Sequence, residues 1–419
     1  MDHLYACINF IITRKKLLWI LTALFFIGLG VSVVYRGGFE VSKRTDLTVY
    51  LRAAEAINAK ENIYEVQNSR GWNYLYLPLL AILLSPFTNV PLPLMVFLWY
   101  LLSLAALGAV IFLSCKIAPE KKNAFLLAAA AYTFTLPSFV NTLARGQLGI
   151  FPIFFAVLVF YFYLKERPAA AGLSLALGVT LKISPLGFCL FYFLFKKEWR
   201  VCVWAFLGFI LFLWIFPSFW IGAKQNAFLL GEWLRIMKEA TASRPYESHL
   251  WSQAFTFFAE DNQSLYAVAM RAVWHSEQNF LGASSANVQW VIKIMTGFAL
   301  FLLGFGVLRG KEKTNLPRLL AEYSLFPMLM LLVSPVSEMH HFTILFLPFL
   351  AGLLLAEQLS KSPATRRCLM LSIWGAYFFY LAGLLFPWAC AWGLPAAGAL
   401  LLFLAVAGAL FGTKSCYHE

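Results

Sequence analysis

The chain contains 419 residues, of which 61% are hydrophobic, 17% aromatic and only 13% charged, and its net charge is +13. An average soluble domain carries about 25% charged residues, so this composition excludes a soluble globular protein. The basic surplus does not indicate a nucleic-acid partner, because it lies in predicted cytoplasmic segments, where Lys and Arg outnumber Asp and Glu more than twofold. The two long external loops hold equal numbers of both signs. This distribution is the positive-inside pattern that orients a membrane protein.

Apolar runs of about 17 to 25 residues recur along the chain, and each is long enough to cross a bilayer as a helix. They predict an all-α polytopic membrane protein with about 12 transmembrane helices and both termini in the cytoplasm. The predicted spans are 17–34, 92–114, 124–140, 148–163, a pair of short helices meeting at 181–185, 201–221, 288–308, 319–335, 341–357, 367–386 and 388–411. Residues 1–419 are predicted to form a single membrane domain with external loops at about 36–90 and 222–287.

The N-terminal segment MDHLYACINFIIT has no basic start of the kind that precedes a cleaved signal, so we expect the first span to be retained. The seven cysteines are scattered and include no C-x-x-C pair. They therefore predict neither a disulfide framework nor a zinc site.

The first external loop places one carboxylate, Asp46, a few residues beyond the end of the first span. An amphipathic helix is predicted from Asp46 to Ala59, lying along the membrane interface, and 75–88 is predicted to be a re-entrant segment framed by prolines. Two interpretations of Asp46 are open. It could cap the first free amide groups of the helix, or it could be a catalytic base at the outer membrane surface.

Other polar residues near predicted span ends lie on the same external face of the membrane. Ionisable groups within or beside the hydrocarbon region are costly, so each is a functional candidate. The candidates are Asp46, Arg145, Gln147, Lys182, the run Asp261 to Ser264 that includes Gln263, Arg271, Glu338, His340 and His341. We expect them to converge on a single site.

Each candidate has a structural alternative. Arg145 offers a planar fork that suits phosphate oxygens, or it could extend to lipid headgroups. Lys182 lies in the middle of an apolar stretch and needs an anionic partner, either a ligand phosphate or a buried Glu. The pair His340 and His341 beside Glu338 favours hydrogen bonding to a polar ligand; their spacing is not a recognised zinc pattern, so we expect neither a metal nor another cofactor.

These residue types suit glycosyl transfer from a lipid-phosphate sugar. A carboxylate can take a proton from an acceptor hydroxyl, while cationic groups stabilise the negative charge on a departing phosphate. Neither external loop contains a Gly-rich nucleotide-binding turn, so a soluble sugar nucleotide is not the expected donor.

The chain also resembles a known family through TDLTVYLRAAEAI, NIYEV, YLYLPLLAILLSPF, RGQ, ALGVTLKISPL, DNQSLYAVAMR and SPVSEMHH, in that order. Together they resemble the GT-C fold glycosyltransferases of family 87, which include polyprenol-phosphate-mannose-dependent α-mannosyltransferases. The resemblance implies that Asp46 is the catalytic residue and that the histidine pair belongs to the site. It further implies that the Gln263 and Ser264 positions match a loop motif, and that Arg145 and Lys182 lie near the donor phosphate.

Two positions depart from the family pattern. Tyr76 to Pro78 reads YLP where relatives often have Tyr-Pro-Pro, and Glu338 stands where an aromatic-acidic pair is expected before the histidines. The first departure bears on the re-entrant turn, and the second bears on the acceptor contacts.

The hypothesis is an inverting hexosyltransferase of the inner (plasma) membrane. It would move a sugar, with mannose as the expected one, from polyprenyl phosphate to a lipid-linked or envelope glycan acceptor on the periplasmic or exterior face, in contact with membrane lipids. One alternative keeps the class but uses a pentose or aminosugar donor. The other is a transporter or flippase for a lipid-linked or anionic substrate; paired broken helices are typical of transporters, and only one interrupted segment is evident here, around Lys182.

Overall fold

The computed structural model describes residues 15–117, 121–240, 248, 250, 253, 256–273, 282–310, 315–359 and 362–411. Across these residues the chain is helical apart from connecting loops and one isolated bridge between Gln67 and Asn73. The segment MDHLYACINFIIT, which includes Cys7, as well as Cys416 and parts of the loop 222–287, lie outside the described residues.

The described residues contain nineteen α-helices. In chain order they are α1 (Lys15–Val34), α2 (Leu47–Ala59), α3 (Pro78–Leu84), α4 (Leu92–Ile117), α5 (Lys121–Arg145), α6 (Ile150–Leu164), α7 (Pro168–Leu181), α8 (Ile183–Leu186), α9 (Cys189–Phe195), α10 (Trp199–Phe209), α11 (Phe216–Ile221), α12 (Ala223–Ala240), α13 (Leu265–Val273), α14 (Gly282–Arg309), α15 (Leu316–Val333), α16 (Phe346–Gln358), α17 (Pro363–Leu385), α18 (Pro387–Ala391) and α19 (Leu394–Phe411). Two π-helical segments, Tyr35–Phe39 and Ile210–Ile215, extend α1 and join α10 to α11. The 3₁₀-helices Ser85–Phe87 and Met339–Leu345 follow α3 and precede α16.

Within the described residues, nine helical stretches are long and apolar enough to cross a membrane. They are 20–39, 92–117, 123–145, 199–221, 286–309, 316–333, 339–358, 363–385 and 394–411. Four shorter apolar stretches accompany them, at 78–87, 150–164, 168–181 and 183–195. The chain is therefore an all-α polytopic membrane protein, as predicted, and the number of crossings stays a prediction.

The interrupted segment around Lys182 forms as the sequence predicted. Lys182 has extended backbone angles (φ −156°, ψ 107°) and separates α7 from α8. The segment 75–88 contains the short helix α3, which begins at Pro78, and its re-entrant course stays a prediction. Proline is well tolerated there because the first residue of a helix needs no amide hydrogen for an intrahelical bond.

Several predicted spans had boundaries that were wrong by a few residues, among them the third and the last. The span predicted at 124–140 continues as a helix to Arg145. The polar Thr142 is accommodated inside this helix because its hydroxyl donates to the Ser138 carbonyl at 2.8 Å. The last span begins at Leu394 and not at 388, because Pro387–Ala391 is a separate short helix and Gly393 turns the chain with a positive φ of 77°.

The most buried spans are those that include α15 and α16, and they form the centre of the bundle. α15 carries a buried ionic cluster near its N-terminus. Glu322 is fully buried and accepts from Lys196 Nζ at 2.7 Å and from Arg318 Nε at 3.1 Å. The Lys196 side chain is 4% exposed, so neither member of this pair is solvated.

Replacing Glu322 with Gln should leave Lys196 buried without an anionic partner. Breaking a buried pair on one side costs about 3–5 kcal/mol, so we expect a clearly lower melting temperature of the purified protein in detergent. The matched control is Glu55→Gln, which breaks the solvent-exposed pair of Glu55 with Arg52 and should shift the melting temperature little. Equal melting temperatures for Glu322→Gln and the wild type would contradict the assigned role of the pair.

Candidate active site

A cavity of about 440 Å³ opens among four parts of the fold. Most of its wall comes from α2 with the loop that follows it, the junction of α7 and α8, α12, and the segment between α15 and the 3₁₀-helix before α16, and Gln147 contributes from the turn between α5 and α6. Six of the ten predicted site residues line it: Asp46, Gln147, Lys182, Glu338, His340 and His341. These six residues therefore converge on one cavity, as the sequence predicted. We call it the main cavity.

The turn Arg145-Gly146-Gln147 holds Asp46 in place through three consecutive residues. The Arg145 carbonyl accepts from the Asp46 backbone amide at 2.8 Å, and Gln147 Nε2 donates to Asp46 Oδ2 at 2.8 Å. Between them Gly146 has a φ of 62°, and any Cβ at this position would collide with the Thr45 hydroxyl. A positive φ together with so close an approach requires glycine. The RGQ motif is thus a docking turn for Asp46.

Asp46 occupies the N-cap position of α2, but its side chain makes no capping hydrogen bond. The carboxylate instead accepts from Gln147 and lies 3.7 Å from Arg70 Nη1. Burial raises the pKa of the Asp46 carboxyl above its ordinary value, while the Gln147 hydrogen bond and the charges of Arg145 and Arg70 lower it. A carboxylate with a raised pKa is a stronger base, so its environment suits proton abstraction.

Lys182 presents an unpaired amine to the same cavity. The residue is 5% exposed, and its Nζ makes no hydrogen bond in the part of the chain that the structure describes. The nearest aromatic group is the Tyr76 ring, whose centroid lies 5.6 Å from Nζ. The buried Glu partner that the sequence allowed is not found among the described residues. An ammonium group in such a place favours an anionic ligand.

Glu338 and the two histidines also line the main cavity. The centroids of the His340 and His341 imidazole rings lie 4.0 Å apart. The Glu338 backbone amide donates to His341 Nδ1 at 3.0 Å. Because Nδ1 accepts, the neutral His341 carries its proton on Nε2 and can donate from there. His340 Nδ1 lies 3.4 Å from Glu338 Oε2, and burial raises the pKa of the Glu338 carboxyl while Arg145 and Lys182 lower it.

The remaining predicted residues lie away from the main cavity. Gln263 Nε2 donates to the carbonyls of Glu260 and Cys390, and Ser264 is fully buried. The Arg271 guanidinium donates to several backbone carbonyls, those of Phe257, Ala259, Asn262 and Ala391. These contacts and this burial indicate that the three side chains stabilise the loop.

That loop supports the cavity indirectly. Asn262 Oδ1 accepts from the Ser337 amide at 3.1 Å, and the Ser337 carbonyl accepts from the Gln263 amide at 2.7 Å. The DNQS run therefore fixes the residue that directly precedes Glu338. The Asn262 and Gln263 side chains of this run contact protein backbone.

Sequence reasoning missed the aromatic lining of the main cavity. Tyr50 and Tyr76 pack edge to face with centroids 5.5 Å apart, and Trp72 and Trp233 contribute further surface. The Tyr50 hydroxyl is buried without a hydrogen-bond partner among the described residues. The signal was present as YLYLP and as a Trp on the amphipathic helix α12, but neither stands out in a chain with 41 Phe and 17 Tyr.

A second cavity of about 360 Å³ lies beside the first, and four arginines line it. They are Arg36, Arg44, Arg70 and Arg145. Asp46 also lines this cavity, which we call the arginine cavity, and it contributes to the wall of both. Arg145 lines this cavity and Lys182 lines the main one, and that both lie near the donor phosphate stays a prediction.

Among the described residues no group of three or more His, Cys, Asp or Glu side chains is arranged to hold a metal ion. The family model of glycosyltransferase family 87 matches residues 74–335 of the chain. No curated protein matches the chain significantly. The matched region includes the RGQ turn and Lys182 but neither Asp46 nor the segment from Glu338 to His341.

Proposed function

Since the chain belongs to glycosyltransferase family 87 and is a membrane glycosyltransferase, we propose that it transfers a hexose, with mannose as the expected sugar, from a polyprenyl-phosphate donor. The acceptor would be a lipid-linked or envelope glycan, and the reaction would take place on the outer face of the cytoplasmic membrane. The positive-inside pattern supports this orientation, because it puts the loop that carries Asp46 outside.

One observation carries the proposal. A largely buried carboxylate, that of Asp46, and the buried, unpaired amine of Lys182 line the same cavity. The amine matches the phosphate of a lipid-phosphate sugar. The aromatic rings of the lining match the apolar faces of a sugar and of an isoprenoid chain.

The proposed reaction is a single displacement. Asp46 removes the proton of the acceptor hydroxyl as the hydroxyl oxygen attacks the anomeric carbon of the donor sugar. The bond from that carbon to the phosphate oxygen breaks, its electron pair stays on the phosphate, and the anomeric configuration inverts. Lys182 stabilises the charge that develops on the departing polyprenyl phosphate, and His341 Nε2 donates a hydrogen bond within the same cavity.

Transfer of radiolabelled sugar by the purified protein tests the donor class. Polyprenyl-phosphate-mannose would be compared with polyprenyl phosphates that carry a pentose or an aminosugar, and with GDP-mannose, using membranes of the native host as acceptor source. Label transfer from polyprenyl-phosphate-mannose alone is the expected result. A pentose or aminosugar product would change the sugar, and transfer from GDP-mannose alone would overturn the proposed donor class.

The Gln147→Met variant should shift the pH dependence of transfer. The Gln147 hydrogen bond stabilises the ionised form of Asp46, so its loss raises the pKa of that carboxyl. A hydrogen bond to a charged group contributes about 1.5–3 kcal/mol, which corresponds to about 1–2 pH units. The base must be ionised to act, so the acidic limb of kcat against pH should move to higher pH by about that amount. An unchanged limb in a folded variant would contradict the assignment of Asp46 as base.

A further inference from the structure

The side-chain amide of Gln147 has one end bonded to the protein and the other end free. Its Nε2 donates to Asp46 Oδ2 at 2.8 Å, whereas its Oε1 is buried without a hydrogen-bond partner among the described residues. An ionised carboxylate only accepts hydrogen bonds, so the nitrogen is the end that faces Asp46 and the oxygen is the free end. Buried polar atoms are rarely left unpaired, and a ligand that supplies a donor would pair this one.

A second glutamine of the main cavity shows the contrasting case, an amide that the protein satisfies completely. Gln253 Oε1 accepts from the Asn73 backbone amide at 3.0 Å, and Gln253 Nε2 donates to the Asn73 carbonyl at 2.9 Å. Both glutamines line the main cavity, and Gln147 is only 4% exposed. Gln253 therefore serves to join two external loops, while the oxygen of Gln147 remains available to a ligand.

The turn that carries Gln147 is held at several points, so the free oxygen has a fixed position. The Gln147 backbone amide donates to the Thr142 carbonyl at 3.1 Å. Trp99 Nε1 donates to the carbonyl of the preceding residue, Gly146, at 2.9 Å. An acceptor atom that is held in place before the ligand arrives loses little conformational freedom on binding, and it discriminates sharply between ligands that supply a donor and ligands that do not.

A carbonyl oxygen selects a hydroxyl and not an anion. It only accepts hydrogen bonds, so an ionised phosphate cannot pair with it, whereas a sugar hydroxyl can. Because the same amide is bonded to Asp46, its oxygen lies beside the carboxylate that the proposed function assigns to proton abstraction. Two hydroxyls on adjacent carbons of a sugar ring can therefore contact the carboxylate and the amide oxygen together.

We propose that Gln147 Oε1 accepts a hydrogen bond from the acceptor hydroxyl next to the one that Asp46 deprotonates, so that the acceptor site takes a vicinal diol. Gln147 is then a specificity-determining residue that selects which hydroxyl is glycosylated. This inference rests on the proposed function and deepens it by naming the chemical class of the acceptor. A hydroxyl with no hydroxyl on the adjacent carbon, such as the primary hydroxyl of a hexopyranose, lacks the second contact and reacts poorly.

A panel of deoxy acceptors tests this role. Octyl α-D-mannopyranoside and its monodeoxy analogues would be compared by kcat/KM for the acceptor, with each protein variant at a pH on the plateau of its own profile. For the wild type we expect the analogue that lacks the adjacent hydroxyl to lose about 10- to 100-fold, because the buried amide oxygen stays unpaired. In Gln147→Met the same analogue should react like the parent acceptor, since no unpaired oxygen remains.

Gln253→Met is the matched control, because it changes the same residue type in the same cavity. Its dependence on the adjacent hydroxyl should equal that of the wild type. An equal loss for the deoxy acceptor in the wild type and in Gln147→Met would overturn the inference, as would a product linked through the primary hydroxyl. If Gln147→Met instead abolished discrimination against a donor that lacks the hydroxyl next to its anomeric carbon, the amide would contact the donor sugar, and the assignment to the acceptor would be overturned.

A binding measurement without donor separates this inference from the proposed function. The affinity of the purified protein for each octyl glycoside would be followed by tryptophan fluorescence, since Trp72 and Trp233 line the main cavity, in a detergent without a sugar headgroup. We expect one deoxy analogue to bind the wild type about tenfold or more weakly and to bind Gln147→Met like the parent compound. That result, together with no transfer from polyprenyl-phosphate-mannose, would refute the proposed donor and support the inference. Normal transfer without any discrimination that depends on Gln147 would overturn the inference alone.

Discussion

Asp46→Asn is expected to lower kcat for sugar transfer by about 10²–10⁴, the usual contribution of a positioned general base. The change keeps the size of the side chain, and the Asn oxygen can still accept from Gln147 Nε2, which lies 2.8 Å from the native carboxylate. The docking turn should therefore remain intact. What is lost is the capacity to take a proton from the acceptor hydroxyl, so the donor KM should change little.

The matched control for this variant is Glu61→Gln, the same chemical change at an exposed carboxylate two residues beyond α2. It should transfer sugar like the wild type. Asp46→Asn with a normal melting temperature and near-normal kcat would show that another group, or no side chain, removes the proton. Asp46→Glu adds a second check, since a longer carboxylate should restore part of the rate if basicity is what matters.

Lys182→Met is expected to have opposite effects on activity and stability. Loss of a charge that stabilises a developing oxyanion costs about 10²–10³ in rate, so kcat/KM for the lipid-phosphate donor should fall by that order. At the same time the melting temperature of the ligand-free protein should rise, because an ammonium group that is 5% exposed and unpaired within the described residues is replaced by an apolar side chain.

Measuring both kcat/KM and the melting temperature makes the Lys182 experiment specific. Lys224→Met, at an exposed position near the start of α12, is the matched control and should leave both quantities near the wild-type values. A fall in melting temperature for Lys182→Met would indicate that the amine has a structural partner. Normal transfer by a stabilised variant would remove Lys182 from the reaction and leave the amine without a function.

The sequence predicted the fold well because hydropathy and charge report directly on the bilayer. The apolar runs gave most of the spans, and a Lys followed by a Pro inside an apolar stretch correctly marked the break between α7 and α8. The predicted end of a span was wrong where a polar side chain forms a hydrogen bond within its own helix, as the Thr142 hydroxyl does inside α5. The amino-acid composition of a segment does not reveal such local hydrogen bonds.

The membership of the site was harder to predict, because a polar residue in a loop can face a ligand or the backbone. Gln263 and Arg271 have the residue types of a binding site, yet their donors are aimed at carbonyl groups of the protein. Arg70, which lies 3.7 Å from Asp46, was overlooked because no local pattern links it to a carboxylate in the preceding helix cap. Only the folded loop brings the two together.

Gly146 has a consequence for how this chain can change over evolutionary time. Its positive φ turns the backbone so that the preceding residue lines the arginine cavity and the following residue lines the main cavity. Inserting or deleting one residue here would change which side chain lines which cavity, and it would therefore disturb both cavities. We therefore expect substitutions in the flanking spans to accumulate more freely than any change in the length of this turn, which lies between the two cavities.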